Sequence, residues 1–160
     1  MATQTYDPIA SITLGAASSS VTFSAIPQTY TDLIVVMFSD QTASSASNVQ
    51  FNGDTATNYS LTNISGDGST AVSTRASSAS TPSISGSSAT DQISIINIMN
   101  YSNTTTNKTS IIRTNDASAS VGVRVILWRS TAAITSIKLA STSSTFTVNS
   151  TFNLFGIKAA

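Results

Sequence analysis

Val121-Gly122-Val123-Arg124-Val125-Ile126-Leu127-Trp128 is the stretch on which the reading of the fold turns. Val121, Val123, Val125 and Leu127 share one parity and are all aliphatic. A period of two is the mark of a half-buried β-strand, because successive side chains point to opposite faces. The alternation predicts that these four residues face the core. Arg124, Ile126 and Trp128 then carry the other face, with Trp128 outside and Arg124 two same-face steps away.

Working outward, similar runs recur at short intervals. Ile9 to Leu14 alternates, as do Val21 and Phe23 before Pro27 ends that run. Leu33-Ile34-Val35-Val36-Met37-Phe38 is apolar on both parities, which predicts a central strand covered on both sides. Val49 and Phe51 alternate into the turn signal Asn52-Gly53, and Tyr59, Leu61 and Asn63 make a short candidate. Ile93 and Ile95 share one parity and Ile96 and Ile98 the other, so a β-bulge is expected near Ile95 and Ile96. Lys108 to Arg113, Ile137 with Leu139, Phe146 with Val148, and Phe152 to Ile157 complete about ten candidate strands. Helix is disfavoured, since Ser and Thr compete with the helix backbone for hydrogen bonds and Val and Ile lose χ1 freedom there. The expected fold is all-β: one domain over residues 1–160, a two-sheet antiparallel β-sandwich, jelly-roll-like. Residues 1–8 read as a polar N-terminal arm. Residues 65–90, rich in Ser and Ala with Val72 and Ile84 as the only large apolar side chains, read as a surface excursion with one weak strand around Val72. It is either a segment ordered by a neighbour or a passive linker.

Composition narrows the chemistry. The chain has no His, Cys or Glu, while Ser and Thr together supply 56 of its 160 residues. The usual general base, the soft metal ligands and the usual raised-pKa acid are thus missing. No Ser lies in a G-x-S-x-G elbow, and nothing marks a catalytic pair among the seven Asp. An enzyme is not expected, nor a cofactor. Asp54, Asp67 and Asp116 sit in turn-like stretches, where Asp ordinarily bonds its own backbone rather than a metal. The Asn-x-Ser/Thr triplets at Asn58, Asn63, Asn103, Asn107 and Asn149 follow from composition and are expected to carry no glycan. Net charge is zero and 9% of residues are charged, so nucleic acid and anionic membrane are not expected partners. No basic stretch leads into an apolar run at the N-terminus, and the longest strongly apolar run, Leu33 to Phe38, is far short of the ~20 residues of a membrane-spanning helix. Synthesis in the cytoplasm of the expressing cell and no membrane insertion are the expectations. Without His, folding stability should be nearly flat from about pH 6 to 9.

Trp128, the only Trp, has two readings. An outward Trp could stack on a sugar ring or anchor a subunit, with Arg124 beside it. Alternatively it packs beneath a loop or in the opposite layer. Tyr59 and Tyr101 are the other stacking candidates.

Several motifs, in order along the chain, carry a resemblance. They are Tyr6-Asp7-Pro8-Ile9-Ala10-Ser11-Ile12-Thr13-Leu14, then Ser20-Val21-Thr22-Phe23-Ser24-Ala25-Ile26-Pro27-Gln28-Thr29-Tyr30-Thr31-Asp32-Leu33, then Phe51-Asn52-Gly53-Asp54 with Asn58-Tyr59. Asn100-Tyr101-Ser102-Asn103-Thr104, Leu127-Trp128-Arg129-Ser130-Thr131-Ala132-Ala133-Ile134 and Phe155-Gly156-Ile157-Lys158 follow. Together they resemble a family of tailed-bacteriophage virion proteins, found as small structural proteins and as tail-fibre modules. Residues 65–90 are the least family-like part. The resemblance implies a β-sandwich, a place in the virion and no catalytic residues. It leads to the expectation of a non-enzymatic particle component, either a capsid decoration (cement) protein or a tail or fibre component. The expected partners are other virion proteins and copies of the chain, as a homotrimer by analogy with three-fold attachment points. Ala2 to Pro8 is the segment expected to reach a neighbour. The alternative is a carbohydrate-binding receptor module using Trp128, Tyr59 and Tyr101 on a host surface glycan.

Overall fold

The computed structural model describes residues 5–116 and 120–158. Among them are eleven strands and no helix: β1 (Tyr6–Thr13), β2 (Ser20–Phe23), β3 (Asp32–Ser39), β4 (Ser47–Phe51), β5 (Tyr59–Gly66), β6 (Ala71–Ala79), β7 (Gln92–Met99), β8 (Lys108–Asp116), β9 (Ser120–Trp128), β10 (Ile137–Ser141) and β11 (Thr151–Ile157). They form an eight-stranded sheet in the order β1-β11-β3-β7-β8-β9-β5-β6 and a three-stranded sheet in the order β2-β10-β4. Every pairing is antiparallel. The all-β sandwich is as the sequence predicts, with an uneven division of strands between its layers.

The core lies between the sheets. The small sheet contributes Val21, Phe23, Val49, Phe51, Ile137 and Leu139; the large one contributes Leu33, Val35, Met37, Ile96, Ile98, Ile112, Ile126, Phe152 and Leu154. Each fully buried side chain of this kind stabilises the fold by roughly 1.5–3 kcal/mol before entropy is counted. Phe146 and Phe152 meet edge to face at 5.1 Å inside it. Asn52 and Gly53, both at positive φ, turn the chain out of β4 towards the large sheet rather than closing a hairpin. The Asn52 amide fixes that crossing, donating to Ala133 O at 2.8 Å and accepting from Thr135 N at 2.8 Å and Ser136 N at 3.1 Å.

The structure corrects several expectations. The faces of β9 are reversed: Ile126 and Trp128 point into the core, while Val121, Val123 and Val125 are 63%, 47% and 42% exposed. Leu33 to Phe38 is central but covered fully on one side only; Leu33, Val35 and Met37 are buried beneath the small sheet, while on the far face Ile34 is buried and Phe38 is exposed. No bulge occurs in β7, whose ladders with β3 and β8 run unbroken. Its isoleucines occupy both parities because both of its faces are apolar. The register shifts lie instead between Pro8 and Ala10 and between Tyr59 and Leu61.

Residues 65–90 are not one excursion. β6 is a nine-residue edge strand, exposed along nearly its whole length. The following segment turns inward, burying Ile84 completely and attaching to the small sheet through the bridges Asn48–Ser83 and Ser45–Ser88. Phe146 and Val148 do not form a strand; Phe146 is held by isolated bridges to Ser18 and Gln41. Tyr6 to Pro8, expected in a free arm, belong to β1 and pair with β11; Met1 to Gln4 lie outside the described residues.

Candidate interaction surface

The residues singled out as contact candidates are structural. Trp128 is 2% exposed, and Tyr59 and Tyr101 are fully buried. Trp128 stacks on Tyr59 at 6.2 Å and tilts against Phe51 at 5.6 Å. Its indole N–H donates to Asp54 Oδ2 at 2.7 Å, and Asn58 Nδ2 donates to the same oxygen at 2.9 Å. Those bonds, first that from Asn58 and then that from Trp128, hold the Asp54 carboxyl below the usual range. Burial pushes the Tyr59 phenol up to about 12. The Tyr101 hydroxyl donates to Pro27 O and closes the loop before β3.

Arg124 points between the layers, where its guanidinium donates to Ser83 O at 3.2 Å and Ser83 Oγ at 2.7 Å. It therefore ties down the buried part of the 65–90 stretch. None of the four residues offers a surface for a sugar ring.

Other motif residues also lock the fold. Lys158 pairs with Asp7 at 2.5 Å and lies 5.7 Å from the Tyr30 ring centre. Tyr30 in turn covers Gly156, where a Cβ would stand 2.3 Å from the ring. Arg129 reaches Thr57 O, Tyr59 O and Ser77 O at 2.8, 3.3 and 3.1 Å, joining β5 and β6 to the end of β9.

The acids weighed as metal ligands and read as turn residues accept hydrogen bonds from backbone and side chains. Asp67 Oδ1 accepts from Ser69 N at 2.9 Å and Thr70 N at 2.6 Å, and Asp116 Oδ1 accepts from Thr90 Oγ1 at 3.1 Å. Among the described residues no three potential metal-ligating side chains converge.

The distinctive surface is the outer face of the eight-stranded sheet, whose β9 residues Val121, Val123 and Val125 the sequence reading assigned to the core. Three rows of paired residues cross it. One runs Phe38, Ile93, Asn115, Val121; the next Val36, Ile95, Arg113, Val123, Ile64; the third Ile34, Asn97, Ile111, Val125, Thr62, Arg75. Phe38, Ile64, Ile93, Ile111, Val121, Val123 and Val125 are all between 37% and 63% exposed. Their combined accessible area is roughly 600 Å², at the upper end for the largest apolar patch of an ordinary monomer. A shallow hollow of about 370 Å³ is lined by Ile64, Val121, Val123 and Arg113 among others.

Charge on this face is sparse and segregated. Arg113 and Arg75 have no carboxylate partner among the described residues, whose one ion pair is Lys158–Asp7. Beyond the last β3–β7 pair, Ser39 with Gln92, stand Asp40 and Asp91, on the parities of Phe38 and Ile93. Burial, and then the adjoining Asp91 carboxyl, raise the Asp40 carboxyl above its ordinary range. The face offers apolar contact and sparse charge. The signal that could have revealed it was the apolar character of both parities in β3, β7 and β8, as in Ile111-Ile112.

No protein-family model matches the chain, and no curated protein matches it in sequence.

Proposed function

We propose that the chain is a non-enzymatic structural component of a bacteriophage particle, displayed on its surface as a capsid decoration protein or a tail or fibre component. The observation that carries this reading is the broad apolar face exposed on a sandwich whose Asp54–Asn58–Trp128 and Asp7–Lys158 clusters serve the fold. Such a face is suited to docking rather than to turnover. The resemblance to virion proteins supplies the context. Its motif residues Asp7, Tyr30, Asp54, Asn58, Tyr101, Trp128, Gly156 and Lys158 are packing and latch residues here, as suits a scaffold without catalytic residues. Copies of the chain associate on this reading, with a trimer as the arrangement the resemblance suggests.

The alternative, a carbohydrate-binding module, loses its stacking residues because Trp128, Tyr59 and Tyr101 are buried. Quantitative protein analysis of purified particles tests the proposal. A copy number on the order of hundreds indicates shell decoration, and a few dozen or fewer indicate tail or fibre. Absence of the chain from particles overturns the reading.

A further inference from the structure

We propose that two copies of the chain pack the outer faces of their large sheets together about a two-fold axis, with Arg113 of each copy against the Asp40–Asp91 pair of the other. The inference takes from the proposed function only that copies associate, and it names the surface and symmetry through which they do so.

Area is the first argument. The roughly 600 Å² exposed by the seven large apolar side chains, with the polar atoms between them, approaches the ~800 Å² per partner of a stable interface. Edge-to-edge pairing of β6 strands would leave this face bare, whereas face-to-face packing covers its Phe38, Ile93 and Val121 row.

Charge decides the occupant. A flat apolar partner would strand the Arg113 guanidinium, which has no carboxylate on the face around it, and burying an unpaired charge is costly. Its missing counterpart lies just past the end of the β3–β7 ladder, where Asp40 and Asp91 continue the parities of Phe38 and Ile93. A surface carrying both halves of a charge pair is self-complementary, which an isologous two-fold contact requires: residue i meets j, and j meets i.

Geometry then places the axis. Arg113 pairs with Ile95, which lies four residues along β7 from Asp91, about 13 Å at strand rise. An axis bisecting that separation crosses the strands along Phe38, Ile93 and Val121, so these side chains meet their own counterparts. Val123 and Ile64 flank the axis on the Arg113 side; Ile111 and Val125 lie at the rim. Such pairing gives dimers, and any three-fold assembly would use another surface.

Sedimentation equilibrium of the full chain over a range of concentrations tests this, with circular dichroism to verify that each variant keeps its β fold. The wild type is expected as a monomer–dimer system. Val121→Lys, at an exposed position on the axis, should weaken association at least tenfold. Arg113→Asp and Asp91→Arg should each weaken it, and the double variant should return to within a few-fold of wild type. A monomer at every concentration, association that Val121→Lys leaves unchanged, or a double variant no better than its singles would overturn the proposal. None of these results bears on whether the chain is present in particles, which copy number reads separately.

Discussion

The two faces of the eight-stranded sheet are built from the same kinds of side chain and have opposite fates. Ile96, Ile98, Ile112 and Ile126 on the inner face are fully buried, whereas Ile93, Ile111 and Val125 on the outer face are 37–42% exposed. The difference lies in the neighbour. Three short strands and the segment around Ile84 lie over the inner side, whereas among the described residues no strand layer lies over the outer side. Hydrophobic alternation identifies a strand and its two faces; which face becomes the core depends on what else the chain can lay against it.

Adjacent residues on β9 give the strongest test of that contrast. Ile126→Ala should destabilise the fold by about 2–5 kcal/mol, because it empties a site in the sealed layer. Val125→Ala, one residue away on the bare face, should cost less than about 1 kcal/mol in dilute solution. Urea unfolding midpoints of the two variants measure this directly, and equal losses would mean that the outer face is covered within a single copy.

Much of the fold was legible in the sequence. The period of two in Val121 to Trp128 locates β9, and Asn52-Gly53 marks a real turn with both residues at positive φ. The inward face of β9 was misread because its inner parity holds Gly122 and Arg124, which look like solvent residues. Gly122 lies near the start of β9 and Arg124 at its middle: Gly122 packs against Ser65 and Thr114, and Arg124 bonds Ser83 between the layers. Trp128 was legible as important, but its role was not. Its partner Asp54 lies 74 residues away, and no local pattern announces a bond across the layers. The outer surface was hidden for the opposite reason, since an exposed apolar row reads like a core row when the covering layer is unknown.

Gly156→Ala sharpens the comparison on the inner side. An added methyl would enter the Tyr30 ring at 2.3 Å, so Tyr30 must move off β11 and loosen its contact with Lys158. Overpacking of this kind should cost about 1–3 kcal/mol, read as a lowered thermal midpoint.

Asp54→Asn removes the charge that accepts the Trp128 and Asn58 donors and should cost about 1–2 kcal/mol at neutral pH. Because the folded state depresses this carboxyl, its contribution is present above the unfolded value of ~3.9 and lost as pH falls through the lower folded value. Asp54→Asn should therefore flatten that part of the acid limb, which denaturation between about pH 5 and 2 would register.

The smallest effect belongs to the rim of the bare face. Asp40 is raised in the folded state, so its ionised form is penalised above that folded value and the penalty disappears below the unfolded one. Asp91→Asn relieves one cause of the shift and should stabilise the isolated chain at pH 7 by up to about 1 kcal/mol, with the gain shrinking as pH falls. A loss of stability at pH 7 would show instead that the Asp91 charge supports the fold.

The pairing of β1 with β11 sets Tyr6 opposite Ile157, and the two strands run antiparallel from that point to Thr13 and Thr151. A pull applied through residues 6 and 157 would load the ladder from one end and peel its hydrogen bonds in succession, the weakest way to strain a sheet. The Lys158–Asp7 ion pair and the Tyr30 ring sit at that end like a clasp on a zip. The domain is accordingly weakest against a pull applied between those two strand ends.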